Sequence, residues 1–160
     1  MSLAADKNYQ TLSCILLPLR GSELLLPKSI VKEIVYKPKI KTIDEGDQSD
    51  WLIGEIEWED FIVPLISFDQ LCNQPRVSKT SQFRAVICYA IEKVDLFPYY
   101  AIEVQSIPRP LILDSRALFN HEGMMSKHSE VISNHVKIGS KELAIPNFEK
   151  LESILATRAS

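Results

Sequence analysis

Glycine and cysteine are both scarce in this chain. Only five of its 160 residues are glycine, so it lacks the closely spaced glycines of a phosphate-binding loop. The three cysteines, Cys14, Cys72 and Cys88, are far apart, and no C-x-x-C pair is present. Their odd number and spacing do not suggest a disulfide framework or a metal site. Cys14 and Cys88 lie in apolar runs, where cysteine acts as a small buried hydrophobe, as is usual in a reducing compartment.

Long apolar runs are also missing. None approaches the roughly 20 residues that a membrane-spanning helix needs, and residues 1–10 lack the apolar core of a signal peptide. The net charge of −3 provides no overall attraction to nucleic acid or to anionic membranes. One local run of lysines consists of Lys28, Lys32, Lys37, Lys39 and Lys41. Tyr36 is the only aromatic residue interleaved with it. We therefore expect a single cytoplasmic domain that neither inserts into membranes nor binds nucleic acid.

Basic residues are absent from positions 42–75, a stretch that holds nine acidic residues. Glu55, Glu57 and Glu59 alternate with apolar residues, so on a strand they form a row of like charge about 6.6–7 Å apart. That spacing is within the range of an inverting glycosidase, but nothing in the sequence buries these carboxylates to raise a pKa. From the residues alone, a plain solvated face is the first interpretation of this row, and an acidic docking surface is the second. The alternative function is that of a β-barrel enzyme or a small-ligand-binding protein, with its site around Glu55, Glu57 and Glu59.

The three histidines do not form a convincing metal site. His121, His128 and His135 are spaced by seven residues, which is about 10.5 Å along one helix, whereas zinc needs each nitrogen at about 2.0–2.1 Å. No serine or cysteine stands in the G-x-S-x-G setting of a hydrolase. We therefore expect no catalytic residue, no metal and no cofactor.

A strand, a tight turn, a second strand and a proline recur three times, over 12–27, 52–64 and 131–146. Proline lacks an N–H, so each is expected where the return strand ends. Several hairpins at this spacing predict an all-β fold, and their recurrence on both sides of the polar segment 73–82 predicts two similar halves divided there.

Three further segments have helical features. The spacing of the apolar residues in SIVKEIVYK predicts a short helix that passes into a strand near Val35, with Lys28 and Lys32 on one helical face. Ser67 is expected to cap a short helix, and Pro146 to begin the last one. The apolar residues of that last helix should share one face: Phe148, Leu151, Ile154 and Leu155.

The stretch WLIGEIEWEDFIVPLISFDQL resembles the signature hairpin of CheW-like domains. The family pattern is a glycine, an apolar strand, a polar turn, a strand ending in proline and a short helix, and it is matched by Gly54, Ile56, Val63, Pro64 and Phe68. Upstream, Val31 and Glu33 match the family's valine-x-glutamate segment. Downstream, HVKIGSKELAIPNFEKLESIL resembles its closing hairpin and helix, so the resemblance extends over residues 12–156.

The resemblance implies one CheW-like domain over residues 1–160, with two SH3-like β-barrel subdomains around a shared core. It also implies a non-enzymatic adaptor that joins a chemoreceptor's cytoplasmic tip to a histidine kinase regulatory domain. The protein-binding residues would be Val31, Glu33, Glu57, Glu59 and Asp60, and the structural ones Gly54, Trp58, Pro64 and Phe68. Trp51 and Trp58 resemble those of the ChpC-like branch, which is associated with type IV pili and twitching motility.

Two positions depart from the family pattern. Glu59 and Asp60 stand where typical members carry an arginine-glycine pair, so an acceptor replaces a bidentate cationic donor. Asn147 stands near the position of a usual aspartate. Set against the resemblance, the first change predicts a specialised adaptor whose partner presents lysine or arginine to this turn. On that basis an acidic docking surface becomes the preferred interpretation of the row, ahead of a solvated face.

Overall fold

A computed structural model of the chain describes residues 10–19, 22–41, 51–72, 84–114 and 130–159. These ranges contain eleven β-strands and two α-helices. The strands are β1 (Thr11–Pro18), β2 (Glu23–Pro27), β3 (Val31–Tyr36), β4 (Ile40–Lys41), β5 (Leu52–Trp58), β6 (Phe61–Ile66), β7 (Arg84–Tyr89), β8 (Tyr99–Val104), β9 (Arg109–Asp114), β10 (Ile132–Ile138) and β11 (Lys141–Pro146). The helices are α1 (Phe68–Leu71) and α2 (Phe148–Ala159). Neither is long and apolar enough to cross a bilayer, and no other helix of the described ranges is.

The strands form two sheets, which confirms the mainly β prediction. The five-stranded sheet has the order β10-β11-β2-β1-β9, and the six-stranded sheet has the order β3-β7-β8-β6-β5-β4. Neighbours are antiparallel except for β11 with β2 and β6 with β8. Within the described ranges each sheet keeps two open edges, so the expected closed barrels are not seen. The expected division at 73–82 lies outside the described residues, and each sheet takes strands from both sides of it.

Each sheet is buried on both faces at its centre. In β2, Leu24 packs into a core shared by the two sheets, while Leu25 faces a separate cluster within the five-stranded sheet. In β8, Tyr100 lies in the shared core, while Ala101 faces a cluster within the six-stranded sheet. Because strand residues alternate between faces, burial on both sides explains why these strands read as near-continuous apolar runs. The shared core implied by the family resemblance is present.

Segment 28–36 differs from its prediction. Only Lys28–Ile30 form a short 3-10 helix, and the chain then extends as β3 along β7. The segment is rich in β-branched residues, which favour a strand when a neighbouring strand is available for pairing. Lys28 and Lys32 therefore do not share a helical face.

Two of the three prolines lie at the predicted ends of their strands. Pro27 and Pro146 end β2 and β11, as predicted, but Pro64 lies inside β6, opposite Glu55. Pairing of β6 with β8 begins at Leu65, so on that side Pro64 still lies at an unpaired part of the strand, where a missing N–H is tolerated.

Both helices are capped from the residue that precedes them. The Ser67 hydroxyl accepts from the Gln70 N–H at 3.3 Å, which confirms the predicted cap. Asn147, rather than Pro146, precedes α2, and its side-chain oxygen accepts from the Lys150 N–H at 3.0 Å. Asparagine and aspartate cap helices about equally well, so this departure from the family pattern preserves the helix start. The predicted apolar face of α2 packs on the shared core.

Candidate functional site

The turn between β5 and β6 carries the acidic residues that depart from the family pattern. Trp58 pairs with Phe61, which leaves Glu59 and Asp60 as a two-residue turn, and both are exposed. Glu59 has a φ of 52°, a backbone conformation that residues other than glycine seldom adopt. The predicted exposed hairpin tip is therefore present, with its first residue held in the left-handed region.

The acidic row lies on the outer face of β5. Glu57 is exposed and Glu55 is half-buried, whereas the alternating Ile56 and Trp58 are buried. Glu55 lies opposite Lys41 of β4 in the strand register. The carboxylates thus share one strand face instead of opposing each other across a cleft, an arrangement suited to charge contacts with a partner. In the part of the chain that the structure describes, no three metal-ligating side chains come together.

Four aromatic rings, here called the aromatic belt, lie behind the turn: Trp58, Phe61, Tyr89 and Tyr99. The Tyr99 ring centroid lies 5.1 Å from that of Trp58, 4.9 Å from Phe61 and 5.6 Å from Tyr89. The Trp58 and Phe61 rings meet Tyr99 edge-to-face, which is a favourable geometry for aromatic rings, and the Tyr89 ring is tilted by 45° to it. The belt connects β5, β6, β7 and β8 at one end of the six-stranded sheet, and so supports the turn from below.

Glu33, on the edge strand β3, contacts Trp58 of the aromatic belt. The Trp58 indole Nε1–H donates a hydrogen bond to Glu33 Oε2 at 2.5 Å. Glu33 is on the edge strand β3 and Trp58 is on β5, so this bond joins strands that are four positions apart in the sheet order. The sheet must therefore curl strongly, and Glu33 has a structural contact that sequence reasoning did not anticipate.

The other residues of β3 surround this contact. Val31 is half-buried against the shared core and pairs with Cys88, so it offers a partner only part of its side chain. Lys32 hydrogen-bonds to Tyr89, which raises the pKa of the lysine above its ordinary value, and the charge of Glu59 acts in the same direction. A cation therefore stands near the acidic turn.

The residues predicted to be structural have clear physical roles. A Cβ on Gly54 would lie 2.5 Å from the carbonyl oxygen of Lys41, so only glycine lets β4 approach β5 this closely. Phe68 is 1% exposed and fills the shared core at the start of α1. Trp58 is buried beneath the turn, and Pro64 is half-buried in β6.

Glu152 is a buried charged residue that sequence reasoning missed. Its carboxylate is fully buried and accepts hydrogen bonds from three consecutive backbone N–H groups, of Ile91, Glu92 and Lys93, at 2.8–3.0 Å. A signal for it was present, because Glu152 follows Phe148 by four residues and so falls on the buried face of the helix.

A cavity of about 230 Å³ lies against the five-stranded sheet. Its walls include Leu16, Leu111 and Leu143, and its lining also includes Arg109 and Lys141. The acidic row is on the six-stranded sheet, so this cavity is not the alternative small-ligand site around Glu55, Glu57 and Glu59.

Comparisons with known proteins agree with this architecture. A family model described as CheW-like domain matches residues 13–154. The crystal structure of the scaffolding protein TtCheW from Thermoanaerobacter tengcongensis superimposes with a TM-score of 0.71 at 15% identity, covering 86% of this chain and 90% of that one. At that identity the likeness concerns the fold alone. A comparison with curated proteins gives no match. Because the family match spans most of its length, the chain belongs to the CheW-like domain family.

Proposed function

We propose that this chain is a non-enzymatic adaptor that couples the cytoplasmic tip of a chemoreceptor to the regulatory domain of a histidine kinase. Its CheW-like family, matched over residues 13–154, is the observation that carries the proposal, since this family supports a chemotaxis-type coupling role. The exposed carboxylates on one side of the six-stranded sheet add the chemistry of a docking surface, which suits binding better than catalysis.

The acidic turn is the specialised part of this surface. Glu57, Glu59 and Asp60 are exposed on or beside the β5–β6 turn, and they would meet lysine or arginine side chains of a partner. Glu33 and Val31 belong to the same sheet, where Glu33 also holds Trp58 in place. Charges at the rim of an interface act mainly on the association rate and its salt dependence.

The output of the pathway is proposed from the two tryptophans near Gly54. Trp51 is partly buried against the shared core, and Trp58 is buried in the aromatic belt, so both have structural roles. Both also resemble the tryptophans of the ChpC-like branch. That resemblance supports control of type IV pili. Deleting the gene should reduce twitching while leaving flagellar swimming intact, and the converse phenotype would refute the pilus assignment.

Glu59→Arg tests the docking surface. The variant changes the charge by two units and restores the usual family residue. Glutamate and arginine are both non-glycine residues, so the left-handed backbone conformation at this position is equally unfavourable for the two proteins. Binding to the basic partner should weaken at low salt, and the difference should shrink at high salt, where the Debye length falls to about 3 Å at 1 M. Titration calorimetry with the kinase regulatory domain and with the receptor tip, at both salt concentrations, measures this.

Glu149→Arg is the matched control, because Glu149 is exposed on α2 and the change has the same charge. If Glu59→Arg and Glu149→Arg affect binding equally, the effect is one of net charge and the turn is not the docking site. Binding of both partners at wild-type affinity by Glu59→Arg at low salt would make Glu59 a bystander on a solvated face.

A further inference from the structure

The loop between β7 and β8, residues 90–98, exposes three large aliphatic side chains within six residues. Ile91 is 51% exposed, Val94 is 50% and Leu96 is 55%. Single exposed aliphatic residues are ordinary on protein surfaces, but several close together mark interaction sites. The loop lies outside the residues assigned above to the docking surface.

The loop is held firmly from beneath. The buried Glu152 carboxylate binds the N–H groups of residues 91–93, and Phe97 is buried with its ring edge-to-face on Tyr100 at 6.5 Å. The loop also closes on itself, with the N–H groups of Leu96 and Phe97 both 3.0 Å from the Lys93 carbonyl oxygen. A loop fixed in this way loses little conformational entropy on binding, which is how preorganisation increases affinity.

The loop carries the same sign of charge as the acidic turn and lies at the same end of the sheet. Glu92 and Asp95 are exposed between the aliphatic side chains, while Lys93, the one basic residue of the loop, is half-buried, so the two carboxylates outnumber the single lysine. Tyr89 and Tyr99 flank the loop in β7 and β8, and Tyr99 contacts Phe61 beside the turn. The aromatic belt therefore links the loop to the acidic turn.

We propose that loop 90–98 is the apolar anchor of the docking surface, and that its partner is a protein presenting an aliphatic groove rimmed by lysine or arginine. The inference rests on the proposed adaptor function and assigns its anchor to a loop that the family motifs do not include. The aliphatic side chains supply the binding energy by burial, while Glu59, Asp60, Glu92 and Asp95 select a basic rim. Anionic membranes do not fit, because they attract basic rather than acidic segments.

The test compares a Val94→Ser/Leu96→Ser double variant with the wild type, in titrations against the kinase regulatory domain and the receptor tip. The double variant should bind its partner roughly tenfold or more weakly, in line with losing two anchor side chains. Because burial of apolar surface does not depend on counterions, the loss should be similar at low and high salt, unlike that of Glu59→Arg. Ile107→Ser is the matched control, since Ile107 is 63% exposed on another loop; it should bind as the wild type does.

Each other outcome is decisive. If the wild type binds a partner and the double variant binds it equally well, or Ile107→Ser weakens it as much, the anchor is refuted and the adaptor function stands. If the wild type binds neither protein, the adaptor function fails and the anchor fails with it. Loop-dependent binding to vesicles of anionic phospholipid would replace the protein groove by a membrane surface and overturn the inference.

Discussion

Two buried polar residues in the shared core have opposite environments. Glu152 has its carboxylate satisfied by three backbone N–H groups, whereas the Tyr100 hydroxyl is buried with no hydrogen-bond partner among the described residues. A buried polar group without a partner forfeits its hydration with no compensation. Glu152 is therefore a well-supported anchor, while the Tyr100 hydroxyl is a local defect in an otherwise apolar core.

Tyr100→Phe should stabilise the protein. Removing an unpartnered buried hydroxyl at nearly constant shape should raise the free energy of unfolding by up to about 1 kcal/mol, and at worst leave it unchanged. Urea unfolding at neutral pH measures this. A loss of more than about 1 kcal/mol in unfolding free energy would mean that the hydroxyl has a hydrogen-bond partner outside the described residues.

The same variant should alter the response to alkali. Burial raises the pKa of Tyr100 well above its ordinary 10.0, and the charges of Cys88 and Glu152 add to the effect. Burial likewise raises the pKa of Cys88 above its ordinary 9.0. Since both pKa values are higher in the folded protein, their stability contribution is complete below the unfolded values and is lost as the pH rises past about 9. Tyr100→Phe should make that alkaline decline in unfolding free energy shallower; an unchanged slope would contradict it.

At the scale of elements, the β4–β5–β6 region determines how the acidic row is presented. β4 is only two residues long and pairs with β5 at Lys41 and Glu55, an approach that the missing side chain of Gly54 permits. A short strand at the edge of a sheet limits pairing with other chains. The hairpin beside it then projects its turn into solvent.

Gly54→Ala should displace β4. A Cβ at 2.5 Å from a backbone oxygen cannot be accommodated by a side-chain rotation, so the strand itself has to move. We expect a loss of about 1–3 kcal/mol in unfolding free energy, as for other overpacked sites, measured by chemical denaturation.

Gly139→Asn serves as the comparison for Gly54→Ala. Gly139 has a φ of 63° and nothing within 4 Å of an added Cβ, and asparagine tolerates that conformation. Gly139→Asn should lower the free energy of unfolding by less than Gly54→Ala does. Equal losses would show that backbone flexibility, rather than the close approach of β4, explains Gly54.

On the scale of the whole molecule, the shared core joins the two sheets into one unit. Leu17, Leu24 and Leu26 enter it from the five-stranded sheet, while Val86 and Ile102 enter it from the six-stranded sheet. Helix α2 adds Leu151 and Leu155. Each sheet also has a smaller apolar cluster of its own. The contact between the two sheets is therefore made by the shared core and not by these two clusters.

Leu24→Ala should therefore destabilise both sheets together. Truncating a fully buried leucine is expected to lower the unfolding free energy by about 2–5 kcal/mol. Trp58 lies within the six-stranded sheet, and Trp51 packs against the shared core beside it, so their fluorescence reports on that sheet and its contact with the core, while far-UV circular dichroism reports on the whole fold. Both midpoints should shift equally. If circular dichroism shifts while fluorescence does not, the sheets unfold independently.

Local features of the sequence determined much of this protein. The alternation of Glu55 and Glu57 with Ile56 and Trp58 predicts the strand and its wet face, the Glu59–Asp60 pair predicts the tip, and Ser67 predicts a helix cap. These follow from periodicity and short-range hydrogen bonding, which involve residues close in the chain. The family resemblance predicted the core that the two sheets share.

Only the tertiary structure decided the rest. Residues 31–36 became a strand because β7 lies beside them, and Pro64 was admitted into β6 because β8 pairs only beyond it. The Glu33–Trp58 hydrogen bond spans 25 positions, and the Glu152 anchor spans about 60. The apolar loop 90–98 is identified as a surface only when burial is known. Each of these depends on which distant residues meet, and that is set by how the two sheets curl and pack, not by the local pattern of side chains.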